Sequence, residues 1–243
     1  MNGNKVALVT GANKGIGLEI CRQLGKHGFT VILAGRDEKK VNEASARLRA
    51  EGLDVQGVVL DVTKPASALA AARWLTERHG KLDVLVNNAG VSFEFTTRTR
   101  PSQLTMETLR ATYETNFFGA FTVTQHMLPL LRKSASARII NQSSTLGSLG
   151  TLSDPASPMY GNNLLAYNSS KTALNGLTLA LAKDLASERI SVNSVCPGWV
   201  KTDMGSDAAP RTVEQGAAIA AKLATMDKPP TGKYLDDAGE IRW

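Results

Sequence analysis

Eight residues near the start of the chain, Thr10-Gly11-Ala12-Asn13-Lys14-Gly15-Ile16-Gly17, stand between two differently patterned segments. Lys5 to Thr10 reads as a buried strand and Ile16 to His27 as an amphipathic helix, so the glycines fall on a strand-to-helix turn. Glycine lets the backbone turn sharply and lets an anion reach main-chain N–H groups at the positive end of a helix dipole. A dinucleotide's phosphates would sit at such a turn. The same glycines could serve packing alone, and it is the strand before and the helix after that favour the phosphate reading.

The alternation continues down the chain. Thr30 to Ala34, Val55 to Leu60, Leu82 to Asn87, Ala137 to Gln142 and Ile190 to Cys196 read as strands. Between them, Glu38 to Glu51, Ala66 to His79, Ser102 to Arg132 and Leu165 to about Ser187 read as helices. The strands are apolar at consecutive positions, which suits a parallel sheet covered on both faces. A length of 243 residues allows one large α/β domain, and no Pro/Gly/Ser linker divides it. The tail from Lys228 to Trp243 reads as a turn, a last short strand and a hairpin-like end.

Three further strings follow in order: Asn87-Asn88-Ala89-Gly90 after the fourth strand, Tyr167-x-x-x-Lys171 on a helix, and Pro197-Gly198 after the sixth strand. With the glycine turn they resemble the motifs of the short-chain dehydrogenase/reductase family, classical type, over residues 5 to about 204. That resemblance implies a single Rossmann-type domain spanning 1–243, a doubly wound parallel sheet of about seven strands with helices on both faces. It also implies a nicotinamide cofactor held by Gly11, Asn13, Lys14, Gly15, Ile16 and Gly17. Asp61 and Val62 after the third strand, and Asn88, Ala89 and Gly90 after the fourth, would flank the cofactor. Pro197, Gly198, Val200 and Thr202 would meet its nicotinamide end. Asp61 could equally cap a turn.

After the second strand an NAD enzyme offers an acid to the ribose hydroxyls, but this chain has Gly35-Arg36. Arg36 presents a planar fork of donors to a 2′-phosphate, and Lys14 adds a second cation nearby. NADPH/NADP+ is therefore expected rather than NADH, against the plainer reading of two solvated surface cations.

Tyr167 and Lys171, four residues apart on a helix, share one face with Cβ atoms ~5–6 Å apart. A phenol of ordinary pKa ≈ 10 needs roughly 4 kcal/mol of help to shift ~3 units, which a nearby ammonium and a cationic nicotinamide could supply. A donor at a carbonyl oxygen stabilises the charge that builds there during hydride addition. The resemblance makes Tyr167 that donor and gives Lys171 the cofactor ribose as well. It makes Ser144 the catalytic member of Ser143-Ser144, because the family places it second, and assigns Asn116 to a water connected to the lysine. Each of these residues taken singly is as readily structural; their joint order favours catalysis. Tyr160 has Leu164, not a cation, four residues on, so it is expected to line the substrate pocket instead.

Twenty-two residues separate Ser144 from Tyr167, and the segment around 150–163 reads as an insertion over the site. Residues around 203–226 read as a small lid, Asp203 to Arg211 being polar and small. The long pre-tyrosine segment and the ending Thr231 to Trp243 resemble the carbonyl-reductase branch, whose members reduce quinones, aldehydes and ketones with NADPH. Three other readings stand beside it: a 3-ketoacyl thioester reductase, an alcohol dehydrogenase using the same residues in reverse, and an NADPH-binding redox sensor.

The remaining features exclude rather than suggest. The formal charge is +6, yet Lys and Arg are interleaved with Asp and Glu, and Thr97-Arg98-Thr99-Arg100 lacks aromatic neighbours, so no nucleic-acid partner is expected. Cys21 and Cys196 give no framework, and His27, His79 and His126 give no metal spacing. No apolar window suits a membrane span and no signal peptide precedes the first strand, so a cytoplasmic protein is expected. The helix from Leu165 carries Leu174, Leu177, Leu181 and Leu185, through which the resemblance suggests a homo-oligomer, a dimer or tetramer, with a monomer also compatible.

Overall fold

The computed structural model describes residues 4–243. The chain runs β1 (Val6–Val9), α1 (Gly15–Lys26), β2 (Thr30–Gly35), α2 (Glu38–Ala50), β3 (Val55–Val59), α3 (Pro65–Arg78) and β4 (Val84–Asn87). It continues through the single turn α4 (Glu94–Thr97), α5 (Met106–Tyr113), α6 (Ala120–Leu131), β5 (Ala137–Gln142), the single turn α7 (Leu149–Leu152) and α8 (Leu165–Asp184). It closes with β6 (Ile190–Val195), α9 (Val213–Thr225), β7 (Lys233–Asp236) and β8 (Gly239–Glu240).

One eight-stranded sheet results, in the order β3-β2-β1-β4-β5-β6-β7-β8. All neighbours are parallel except the final pair, where Asp236 Oδ1 accepts from Ala238 N and Gly239 N to close a two-strand hairpin. The predicted count of about seven becomes eight because that hairpin-like end forms a short eighth strand. Strand order reverses between β1 and β4, and a doubly wound sheet binds ligands beyond the carboxyl ends of its strands at such a switch point. The glycine turn follows β1 and Asn87 to Gly90 follows β4, so both line that crevice.

Side-chain alternation explains why both faces are covered. Val6, Leu8, Ile32, Leu85, Ile139 and Val192 point to the face packed by α3, α6 and α8, through Leu75, Met127, Leu131 and Ala182. Ala7, Val9, Val31, Leu33, Val86 and Ile140 point to the other face, packed by α1, α2 and α9 through Ile20, Leu24, Leu48 and Leu223. Each fully buried leucine contributes about 2 kcal/mol by area removed from water. Truncating Leu8, which has no exposed surface, to alanine would cost roughly 2–5 kcal/mol.

On the α6/α8 face a chain of polar groups crosses this apolar layer. Asn87 Nδ2 donates to Asn141 Oδ1 (2.9 Å) and Thr124 Oγ1 (3.0 Å). Asn141 Nδ2 donates to Thr178 Oγ1 (2.8 Å), which lies 2.8 Å from Ser194 Oγ. Three strands and two helices are thereby joined by side chains that would be costly to leave unpaired.

Two stretches differ from their sequence reading. The single helix expected over Ser102 to Arg132 is α5 and α6 joined by a π-helical turn over Glu114–Gly119, preceded by a 3₁₀ turn at Pro101–Gln103. Gly119 allows the tight passage, since a Cβ there would lie 2.8 Å from Val62 Cγ2. The stretch read as a lid divides. Within 203–226, Val213–Thr225 is α9, opened by a capping box between Thr212 and Gln215 and buried through Ala217, Ala220 and Leu223 as part of the core layer. Only the residues before it form a surface loop.

Candidate active site

The glycine turn is shaped by the β4 loop. Thr10 Oγ1 accepts from Asn88 N and Ala89 N (both 3.1 Å), and Asn88 Nδ2 donates back to Thr10 O (2.9 Å) and Gly11 O (3.2 Å). Gly17 fits beneath that amide, because a Cβ on it would stand 2.4 Å from Asn88 Nδ2. Asn13 lies against Gly35, and Ile16 packs on the second core cluster. Helix α1 starts with no side-chain cap and no acid in its first turn, so its leading N–H groups are left for an anion. The donor set, with exposed Lys14 and Arg36 at the rim, fits a dinucleotide phosphate. Lys14 pairs in this structure with Asp203 of the post-β6 loop.

Asp61 accepts from Thr63 N (3.0 Å) and Thr63 Oγ1 (2.7 Å). Burial opposes its ionisation, yet the Thr63 donors with Lys64 and Arg36 nearby hold its carboxyl below the usual value. The Val62 side chain is buried in the core against Gly119 of the π turn. After β6, Val200 is buried and bridges to Arg211, while Thr202 Oγ1 accepts from Gly205 N (3.1 Å). The Thr202 methyl lies 3.5 Å from where a Gly15 Cβ would stand, so the Pro197–Gly198 loop meets the glycine turn.

Tyr167 and Lys171 lie in the first two turns of α8, both buried. The lysine Nζ sits 5.7 Å from the tyrosine ring centre and donates to Gln142 O (2.7 Å) at the end of β5. Burial lowers the Lys171 ammonium to about 8. Burial pushes the Tyr167 phenol up to about 12, opposed by the nearby Ser144 hydroxyl. Ser144 Oγ also accepts from Leu146 N (3.2 Å), which fixes it at the start of a 3₁₀ turn. Ser143, by contrast, is buried and its Oγ has no hydrogen-bond partner among the described residues.

Asn116 sits in the π turn, a local distortion common at functional sites. Its side chain is fully engaged: Oδ1 accepts from Val91 N (2.8 Å), and Nδ2 donates to Val91 O (2.9 Å) and Ser170 Oγ (3.0 Å). Gly90 lies between it and the lysine, a Cβ there falling 3.4 Å from Lys171 Nζ and 3.5 Å from Asn116 Oδ1. The four proposed catalytic residues thus converge on the carboxyl edge of β4 and β5.

Around the phenol the surroundings are apolar. Tyr167 clusters with Leu146 and Leu164, and Phe95, Leu152 and Met159 pack against them. Leu152 and Met159 come from the segment around 150–163. Tyr160 is not in that cluster: it lines a cavity of about 810 Å³ with Tyr113, Leu149, Leu152 and Leu165, which none of the four residues lines. Two side chains went unread in the sequence, Glu94 and Phe95. Glu94 Oε2 accepts from Tyr167 N (2.9 Å), and the Phe95 ring centre lies 5.2 Å from that of Tyr167. Nothing in their local pattern marks them, because the contact spans 73 residues.

Among the described residues no group of three metal-ligating side chains occurs, and no helix is long and apolar enough to cross a membrane. The model of the short chain dehydrogenase family matches residues 5–212. Carbonyl reductase (NADPH) 3 of Rattus norvegicus is 36% identical over 279 residues, covering 99% of each chain. The crystal structure of NADPH-bound carbonyl reductase from chicken fatty liver is similar with a TM-score of 0.87 and 31% identity, covering 99% of each chain. Salutaridine reductase from Papaver somniferum is similar with a TM-score of 0.82 and 32% identity over 96% of this chain and 100% of that one. With a reversed-order parallel sheet, a glycine turn at its switch point and Tyr167 and Lys171 on one helix face, this chain belongs to the short-chain dehydrogenase/reductase family.

Proposed function

We propose that this chain reduces a ketone, aldehyde or quinone carbonyl with NADPH, Tyr167 giving the proton. NADPH, when bound, supplies the hydride to the carbonyl carbon. The observation that carries the reading is the meeting of the Tyr167 phenol with the Ser144 hydroxyl beside the Lys171 ammonium, in an apolar wall of Leu146, Leu164 and Met159. A phenol held near 12 is protonated at neutral pH, the form a proton donor needs. Ser144 and Tyr167 hydrogen-bond the carbonyl oxygen, where negative charge grows as the carbon is reduced. Lys171 stabilises the phenolate left behind, and Gln142 O holds its ammonium in place. The apolar wall excludes water and suits aromatic or alkyl carbonyls. Lys14, Arg36 and the free N–H groups of α1 support NADPH as the cofactor, as do relatives whose names and structures carry it.

The test follows NADPH oxidation with quinones, ketoesters, aryl ketones and ketoacyl thioesters, beside Tyr167→Phe and with NADH as control. Reduction of quinones or aryl ketones is expected, with Tyr167→Phe losing about 10²–10⁴-fold in kcat. Full activity in Tyr167→Phe overturns the assignment, and turnover confined to thioesters overturns the substrate class.

A further inference from the structure

Three acidic side chains are almost wholly buried: Glu19, Asp83 and Glu94, the last with no exposed surface. Glu19 pairs with Arg22 and Asp83 with Lys81, whereas Glu94 has no cation partner among the described residues. An unpaired buried carboxyl is costly, so its one contact must account for it. That contact is the backbone N–H of Tyr167, the third residue of α8. The helix lacks a cap of its own, because Leu164 at its start offers no side-chain acceptor. Glu94 therefore acts as a cap from 73 residues away, on the turn that carries Tyr167. The next residue, Phe95, sets its ring against the tyrosine ring, with centres 5.2 Å apart at an interplanar angle of 58°. The same short stretch begins at Asn88, which grips the glycine turn, and passes Val91, which Asn116 grips at both N–H and C=O.

We infer that Glu94 and Phe95 are positioning residues for Tyr167, one holding its backbone and the other its ring, so that the loop shaping the cofactor turn also sets where the proton donor stands. The inference rests on the reading of Tyr167 as that donor. A misplacement of about 1 Å costs of order a hundredfold in rate.

The experiment compares Glu94→Ala, Glu94→Gln and Phe95→Leu in the full chain, each also built on Tyr167→Phe. It measures thermal unfolding, NADPH dissociation constant, and kcat and KM for the carbonyl compound that the native chain reduces fastest. Glu94→Ala should lower kcat by about 10–100-fold, with KM and NADPH affinity within threefold of native. Glu94→Gln retains an acceptor oxygen and should stay within about threefold of native. Phe95→Leu should lower kcat about tenfold and serves as the deciding variant where Glu94→Ala does not fold. On Tyr167→Phe none of these changes should cost more than about twofold, since there is no proton donor left to misplace. Native kcat in Glu94→Ala or Phe95→Leu, equal losses in Glu94→Gln and Glu94→Ala, or undiminished losses on Tyr167→Phe would overturn the inference. Full activity in Tyr167→Phe alone would instead sink the donor assignment beneath it.

Discussion

Gly17→Ala is the sharpest probe of how the cofactor turn is built. The new methyl would sit 2.4 Å from Asn88 Nδ2, 2.7 Å from Gly11 O and 2.9 Å from Ala12 Cα. The amide can swing aside, but Gly11 O and Ala12 Cα are backbone held by the strand behind them. Moving the amide forfeits its bonds to Thr10 O and Gly11 O, about 1 kcal/mol each, and overpacking adds about 1–3 kcal/mol. The total is about 3–5 kcal/mol, and in a domain of this size each kcal/mol moves Tm by about 2–4 °C. Tm should fall by roughly 6–20 °C, and NADPH affinity by tenfold or more, as each 1.4 kcal/mol lost from the cradle is about a tenfold change. Differential scanning calorimetry and fluorescence titration with NADPH read the two effects. Gly176→Ala is the control: nothing lies within 4 Å of a Cβ there, and alanine in an exposed helix position stabilises by up to about 1 kcal/mol. Should Gly17→Ala melt within 2 °C of native, the account of the turn as a steric fit against Asn88 is wrong.

Arg36→Asp should weaken NADPH binding by about 10–100-fold while NADH improves, read from competitive titrations with both cofactors; an unchanged preference removes Arg36 from the 2′-phosphate. Carbonyl reduction should fall above pH about 8, up to tenfold per unit, as Lys171 loses its proton while Tyr167 keeps its own to about 12. Lys171→Arg, still charged, should lose that limb in a kcat/KM profile. Stability of the unliganded chain moves the other way: between about 8 and 10.5 the unfolded chain still holds the Lys171 proton that the folded chain has released, so this contribution grows with pH and is lost as pH falls through about 8. From 10 to about 12 the unfolded chain releases the Tyr167 proton first, so stability declines again, which urea melts across pH would show. Ser144→Ala should reduce kcat by about 10²-fold with the fold intact by circular dichroism.

Local pattern carried most of the architecture because the sheet is made of short, doubly buried strands whose register needs no distant information to be guessed. The helix expected from Ile16 to His27 is Gly15–Lys26, and the glycine turn lies where strand meets helix. What stayed hidden depends on partners far along the chain. The amphipathic pattern from Ser102 to Arg132 is continuous, so the π turn at Glu114–Gly119, set by Gly119 against Val62, left no mark on the periodicity. Residues 213–225 are alanine-rich and small, which resembles a pliant loop until α1 and the sheet are packed against them. Tyr160 was separable from Tyr167 by its missing cation, but the cavity it faces is defined by Tyr113 and Leu149. Glu94 reads as any surface acid, and only the start of α8 gives it a purpose.

The polar chain from Asn87 through Asn141 to Thr178 has a consequence for how such a site could be altered. Thr178 lies seven residues beyond Lys171 and eleven beyond Tyr167, about 10 and 16 Å down the helix axis. Sliding α8 by one residue would move the phenol about 1.5 Å and turn it about 100°, and would strand the amide of Asn141. The depth of the Tyr167 phenol is gauged from the floor of the domain, not from its rim. Leu152 and Met159, which lie outside that polar chain, can therefore be exchanged without resetting the depth of Tyr167.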